Sequence, residues 1–454
     1  MLAFSFREFM PRAELLRRLS EEPVSSETCF VLLWTYLDQA HVAAGESHSR
    51  SQGTHHFRIE PHLPAGPNLR DRLAAAVQEM QAEDGDAFDL YALRWLKALD
   101  SLLNERQGAR LGEDWITGLD GMQYRIRRRN HFLADSFEAR VTSEEDQSGT
   151  RDLYTRFHVA VPQSVEGIVI DVKSAEEWAE SSLLRRLSLQ RSRLSIMLWP
   201  LQTILDYPAL APEPAPSDFV SLDEVRNEEE LLAEVQTALA VAKEREACLL
   251  VFPELAIPVR IREEIRLTLQ GHGAYGYPLM TLIGCCHCKA PEGGDLNEAI
   301  LFGPDGTELH CHRKLTSFTF IVTRDRSRII SEQLRVGTTV TVLESPLGNL
   351  MPLICLDLIH MPLRQVIVRS HANLFAVPSL SPTTSPHQGA ARDLQVDNRA
   401  SSFVSNRALD GLTSEGTSFF RVPHEEGARH HLPEPQDSRF LLFSLEDLLD
   451  KAGK

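Results

Sequence analysis

Short apolar runs bounded by helix breakers punctuate the chain from Arg193 onward, and they leave little choice of fold. Leu249-Leu250-Val251-Phe252-Pro253-Glu254, Pro352-Leu353-Ile354-Cys355-Leu356-Asp357 and Ala372-Asn373-Leu374-Phe375-Ala376-Val377-Pro378 are too short and too apolar throughout for amphipathic helices. They read as strands buried on both faces, which a chain builds when helices cross between strands. Arg193 to Pro200 reads as one more such strand. A proline-rich loop, 207–216, follows it, then a helix over Asn227 to Glu244 with apolar residues at Leu231, Leu232, Val235, Leu239 and Val241.

The same order continues. Leu279 to His287 is a strand. Glu298 to Phe302 and Thr307 to His312 form a hairpin about Gly303-Pro304-Asp305-Gly306, whose residues suit a tight turn. Val340 to Glu344 and Leu350 to Cys355 are paired across Pro346-Leu347-Gly348-Asn349. Pro362 to Ser370 is expected as a helix, Asn373 to Val377 as a strand and Gly389 to Arg399 as a helix. Phe403 to Ser405 and Ser418 to Val422 are expected as short strands. Strands and helices mix throughout, so the class is α/β or α+β.

Residues 1–185 read differently. Glu14 to Leu19, Cys29 to His41, Leu69 to Met80 and Phe88 to Leu103 have helical periodicity, and clear strands are few before Phe157 to Val161. Gly45 to Gly66 is expected as a loop. A chain of 454 residues is long for one domain. We therefore expect a mainly helical N-terminal domain, 1–185, and a second domain, 190–447.

Charge and cysteine usage narrow the partners. A formal charge of −17 disfavours general affinity for nucleic acid or for anionic membrane surfaces. The run Arg125-Ile126-Arg127-Arg128-Arg129 reads as a solvated or salt-bridged face rather than a phosphate site. No apolar run approaches the length of a membrane span, and the first residues lack the pattern of a signal peptide. Seven dispersed cysteines without a disulfide framework fit a reducing compartment, so a cytoplasmic protein is expected.

Three strand ends carry the chemistry. One delivers Glu254, the hairpin delivers Lys314 and a third delivers Cys355, 60 and 41 residues apart in sequence. A thiol attacks as thiolate, and with an ordinary pKa of about 8.5 it needs a base or a neighbouring cation. Glu254 supplies the base, Lys314 the cation. Attack on a carbonyl or nitrile carbon develops negative charge that Lys314 and the Leu356 N–H are placed to hold.

Phe252-Pro253-Glu254-Leu255, then Asn297 to Gly306 running into His312-Arg313-Lys314-Leu315, then Ile354-Cys355-Leu356-Asp357 together resemble the nitrilase (carbon-nitrogen hydrolase) superfamily over about Ser192 to Leu445. The resemblance implies a four-layer α-β-β-α sandwich, preceded here by the helical N-terminal region. It also implies hydrolysis of a non-peptide carbon-nitrogen bond, with Glu254, Lys314 and Cys355 catalytic. Glu332, before Gly337, matches the family's second glutamate, expected either to orient Lys314 or the substrate amine or to make a loop salt bridge. The helix through Asp397-Asn398-Arg399-Ala400, the strand ending at Asn406 and Gly416-Thr417-Ser418 agree as well. The family's aromatic after the nucleophile is Leu356 here, and its early proline is displaced to Pro362, which bears on substrate identity.

Each residue also has a bland reading. A free cysteine in an apolar strand is more often inert. Glu254 alone is a charge at a helix start and Lys314 alone a surface cation. Asp357 reads as a structural hydrogen-bond acceptor beside the nucleophile, and His360 either touches the pocket or sits satisfied behind it. Cys285-Cys286-His287-Cys288 with His310-Cys311-His312 invites a zinc site, yet strand alternation sends neighbouring ligands to opposite faces, so thiols packed in a sheet are expected and no metal. The expectation is an amidase acting on a small molecule without a cofactor, as a homo-oligomer. The alternatives are a nitrilase, an N-acyltransferase, or a ligand sensor or scaffold whose N-terminal half binds a partner.

Overall fold

The structure is a computed structural model that describes residues 12–20, 25–48, 69–83, 85–105, 115–128, 158–208, 221–321, 329–407, 418–422 and 439–446. Its contacts divide the described residues into two compact units, the first reaching Ser164 and the second beginning at Val165.

The first unit has four described helices, Arg12–Ser20, Ser26–His48, Leu69–Ala82 and Gly85–Glu105. Phe88, Trp95 and Leu99 of the fourth are buried at the i, i+7 and i+11 spacings that make one apolar face, while the second is buried continuously from Cys29 to Leu37. The unit also holds a three-stranded antiparallel sheet, Ile116–Thr117, Gln123–Arg128 and His158–Pro162. Among the described residues the region is mainly helical, with this one small sheet. The arginine run lies in the middle strand, where Tyr124 and Ile126 alternate inward and the Arg125 guanidinium stacks 4.2 Å over the Trp115 ring. Most of the expected loop over Gly45 to Gly66 lies outside the described residues, as does most of the proline-rich segment; its first residues, up to His48, continue the second helix.

The second unit contains two sheets. One has the strand order Glu308–Arg313, Glu298–Phe302, Met280–Gly284, Leu249–Val251, Ser195–Leu198, Leu441–Ser444. The other runs Phe419–Arg421, Ser401–Arg407, Leu374–Leu380, Gly348–Pro352, Thr339–Ser345, Ile168–Lys173, with the two-residue strand Ser164–Val165 at its edge. Because Ile168–Lys173 pairs in parallel with Thr339–Ser345, the chain joins this sheet some twenty residues before the boundary expected at 185–190.

The sheets pack face to face. Leu198, Leu249, Val251 and Leu282 of one interleave with Leu350, Leu374, Ala376 and Phe403 of the other in a continuous buried core. Against the outer face of the first sheet lie the helices Glu228–Glu244 and Val259–His272, which bury Leu231, Val235 and Leu239 and Ile261, Ile265 and Leu269 on Met197, Leu250 and Ile283. Ser385–Asn398, which buries Ala391 and Leu394, packs on the strands Ser401–Arg407 and Phe419–Arg421 of the second sheet, and Met361–Arg369, which buries Leu363 and Val366, packs beside it. The architecture is the four-layer α-β-β-α sandwich. Each fully buried leucine or isoleucine in these layers contributes about 1.5–3 kcal/mol.

Strands 195–198, 249–251 and 280–284 run parallel, as do 348–352, 374–380 and 401–407. Residues just beyond the carboxyl ends of these strands therefore gather at the edges of the sheets, where chemistry-bearing side chains collect in folds of this kind. Among the described residues no helix is long and apolar enough to cross a membrane.

Candidate active site

Glu254 follows the Leu249–Val251 strand and is 2% exposed. Its loop passes so close over the neighbouring strand that a Cβ on Gly284 would meet Pro253 O at 2.3 Å and Glu254 Cα at 2.5 Å, so only glycine fits there. Gly284 O accepts from the N–H groups of Ala256 and Ile257 and clamps the loop down. Glu254 N–H donates to Ser379 O at 3.4 Å, and Glu254 Oε2 accepts from Leu380 N at 3.1 Å.

Lys314 follows the Glu308–Arg313 strand and is 1% exposed, an expensive place for an ammonium without partners. It has two. Nζ donates to Glu254 Oε1 and to Glu332 Oε2, each at 2.7 Å. Asn297 Nδ2 bridges the same two carboxylates, 2.9 Å from Glu254 Oε1 and 3.1 Å from Glu332 Oε1. Glu332 arrives from a hairpin of Thr319–Ile321 with Ile329–Ser331, and its own N–H donates to Phe318 O while Oε2 accepts from Phe318 N. His287 completes the set. Leu222 N–H donates to His287 Nδ1, so the ring carries its hydrogen on Nε2 and donates it to Glu332 Oε1 at 3.0 Å.

This is one ammonium against two carboxylates, and the fields sort them. Burial works to lower the Lys314 pKa but is outweighed by Glu254, Glu332 and Cys355, so the ammonium is held charged well above its usual value. Burial also works to raise Glu332, yet Lys314 and His287 hold its carboxyl down to about 2. Glu254 is pushed above the usual carboxylate range, first by burial and then by the like charge of Glu332, against the pull of Lys314. Glu254 is therefore the more basic of the two carboxylates, as a proton acceptor needs to be.

Cys355 lies three residues beyond the Gly348–Pro352 strand, 3% exposed, with a backbone at φ 43° and ψ −102°. A non-glycine residue held at positive φ costs about 1–3 kcal/mol and persists only where its surroundings enforce it. Here Cys355 N–H donates to Pro378 O at 2.9 Å, and Asp357 fixes the turn that follows. Asp357, fully buried, accepts from Leu315 N at 3.0 Å and from His312 Nε2 at 3.1 Å, with Ile354 N at 3.4 Å. It thus ties the segment bearing Lys314 to the turn bearing Cys355. Leu356 opens the short helix Leu356–Ile359, and the first N–H of a helix has no acceptor within it.

Burial, then the Glu254 charge, pushes the Cys355 thiol up, against Lys314, so the resting sulfur is protonated. Sγ accepts from Ser379 Oγ at 3.4 Å, and Ser379 Oγ in turn lies 3.4 Å from His387 Nε2. Burial holds His387 near a pKa of about 4, so its ring is neutral at pH 7. The structure gathers Glu254, Lys314 and Glu332 into one hydrogen-bonded cluster and places Cys355 on the strand end, 378–380, that also holds Glu254. His360 stands apart: it precedes the helix Met361–Arg369, and its ring makes no hydrogen bond to any of these residues.

Sequence reasoning did not assign Asn297, Ser379, His387 or the contact of His287 with Glu332. Asn297 opened a quoted motif, and an uncharged amide between two acids was the one signal. Cys311 lies in the first sheet, Cys286 Sγ donates to Leu255 O beside it, Cys29 is buried in the helix Ser26–His48, and all seven cysteines are free. Gly416-Thr417 lies outside the described residues.

A family model described as carbon-nitrogen hydrolase matches residues 219–402. No curated protein matches. Among solved structures, an amidase from Nesterenkonia sp. aligns at 16% identity over 57% of this chain and 93% of that one, with a TM-score of 0.38. A mutant of the amidase from Nesterenkonia sp. AN1, with the acetamide moiety of fluoroacetamide added at its active-site cysteine, aligns at 17% over 51% and 82%, TM-score 0.36. The C. elegans NitFhit protein aligns at 17% over 57% of this chain and 62% of its own, TM-score 0.40. Residues 219–402, which carry Glu254, Lys314 and Cys355 on the four-layer sandwich, thus match the carbon-nitrogen hydrolase family.

Proposed function

We propose that this domain hydrolyses an amide of a small molecule through a thioester on Cys355. The observation that carries the reading is the sorting of charge around Lys314: one carboxylate, Glu332, is committed to the ammonium, while the other, Glu254, keeps the higher proton affinity and shares the strand end 378–380 with the nucleophile. In the resting arrangement Sγ is bonded to Ser379 rather than to Glu254, and hydrogen bonds of this kind commonly tighten only with substrate.

Glu254 takes the thiol proton as sulfur bonds to the carbonyl carbon, and the C=O pair moves onto oxygen. Lys314 and the Leu356 N–H hold that oxyanion. The C–N bond then breaks as Glu254–H protonates the leaving nitrogen, which departs as ammonia or an amine. Water attacks the thioester, Glu254 accepts its proton, and collapse releases the acid and returns the proton to sulfur. No step requires a cofactor.

Mass spectrometry of the Cys355 peptide, after acid quenching during turnover of simple amides, tests this. The expected result is an acyl adduct in the wild type, and neither adduct nor released ammonia with Cys355→Ala. Undiminished ammonia release by Cys355→Ala sinks the proposal.

A further inference from the structure

The amide reading leaves one buried charge unused. Arg407 ends the Ser401–Arg407 strand and is 6% exposed, and its Nη1 has no hydrogen-bond partner among the described residues. A guanidinium buried this deeply is ordinarily held by a carboxylate. The nearby acid, Glu234, already accepts from Trp199 Nε1 and from the N–H groups of Gln202 and Thr203. Tyr207, also close, donates its hydroxyl to Leu255 O. Burial accordingly pulls the guanidinium below its ordinary value, with only partial return from Tyr207 and Glu234.

The direction of the side chain follows from the strand. Phe403 packs in the core between the sheets, and Ser405 Oγ donates to Trp199 O on the opposite sheet. Alternation puts Arg407 on that same inward face, at the carboxyl end of its strand. Its register partner on the next strand is Leu380, whose N–H holds Glu254 Oε2, and Arg407 O accepts from Ser381 N. An unpaired cation thus stands one strand away from the segment that carries the base and the nucleophile.

We propose that Arg407 receives a carboxylate borne by the substrate, so that the preferred amide is one that also carries a carboxylate and is oriented by it with its amide carbon at Cys355. A single carboxylate matches the planar fork of one guanidinium and supplies the missing acceptor for Nη1. The proposal rests on the amide reading for its chemistry but not for its binding step.

Two measurements keep the two apart. Monoamides of succinic, glutaric and adipic acid, each paired with the uncharged amide of equal chain length, are compared in wild type, Arg407→Lys and Arg407→Met. The wild type is expected to favour the carboxylate-bearing member of at least one pair by about 10- to 100-fold in kcat/KM. In Arg407→Met that ratio falls to about one, and Arg407→Lys lies between. Loss of a buried unpaired cation to methionine is not expected to lower the denaturation midpoint, which separates docking from folding. A wild-type ratio near one for all pairs, or an unchanged ratio in Arg407→Met, overturns the proposal. Independently of turnover, calorimetry of the three dicarboxylates with Cys355→Ala protein is expected to show binding that disappears in Cys355→Ala/Arg407→Met; no binding, or binding kept by the double variant, also overturns it. Carboxylate binding without any hydrolysis or adduct strikes the amide reading alone.

Discussion

Replacing Glu332 with glutamine preserves the outline of the side chain and removes its charge, so it isolates what the second carboxylate does. The carboxylate accepts from four donors: Lys314 Nζ, Phe318 N, His287 Nε2 and Asn297 Nδ2. Glutamine offers one acceptor oxygen, and its NH2 must face donors on the other side, leaving them unpaired. The magnitude comes from the carboxyl itself, which Lys314 and His287 hold down to about 2 despite burial, from an ordinary value of 4.5. For a side chain buried this completely, that difference is about 3 kcal/mol of stability at neutral pH. A depressed carboxylate contributes in full above its unfolded value and loses the contribution as pH falls from there toward the folded one. Urea denaturation of wild type and Glu332→Gln should therefore differ by about 3 kcal/mol at pH 7, and near pH 3.5 the gap should have shrunk by roughly a third to a half. A gap that does not change over this range refutes the claim that the ionised carboxylate, rather than its shape, secures Lys314.

Two further substitutions probe the nucleophile and its base. Gly284→Ala drives a Cβ into the backbone of Pro253 and Glu254, so kcat on simple amides is expected to fall by about 100-fold while Cys355 remains open to alkylation; unimpaired kcat contradicts the close approach. Ser379→Ala deletes the hydroxyl that donates to Sγ, and the pH dependence of iodoacetamide alkylation of Cys355 should move up by about one unit, since the thiolate loses that donor; an unshifted curve removes Ser379 from the nucleophile's surroundings.

What was legible in the sequence is what local pattern controls. Continuous apolar runs located the strands, and a titratable side chain just beyond each run marked Glu254, Lys314 and Cys355 as candidates. The misses have local causes too. Pro378 looked like the end of a strand, yet the strand runs on to Leu380 in register with Arg407, and so Ser379 and its contact with sulfur went unseen. Gly389 looked like a helix start, while Pro386 fills the first turn and brings His387 into the helix. The helix Val259–His272 was hidden because Ile261, Ile265 and Leu269 are one narrow stripe among charged residues. The bridges of Asn297 and His287 to Glu332 span 35 and 45 residues, and no single-sequence pattern reports a pairing of that range.

The strand end Pro378-Ser379-Leu380 grips Cys355 from its own sheet and Glu254 from the opposite one. Neither sheet alone contains both the sulfur and the group that would strip its proton. A chain whose layers have come apart therefore carries the thiol without the carboxylate proposed to take its proton. Under the proposed mechanism, acylation at Cys355 by an amide waits until the two halves of the sandwich close and bring Glu254 to the strand end beside it.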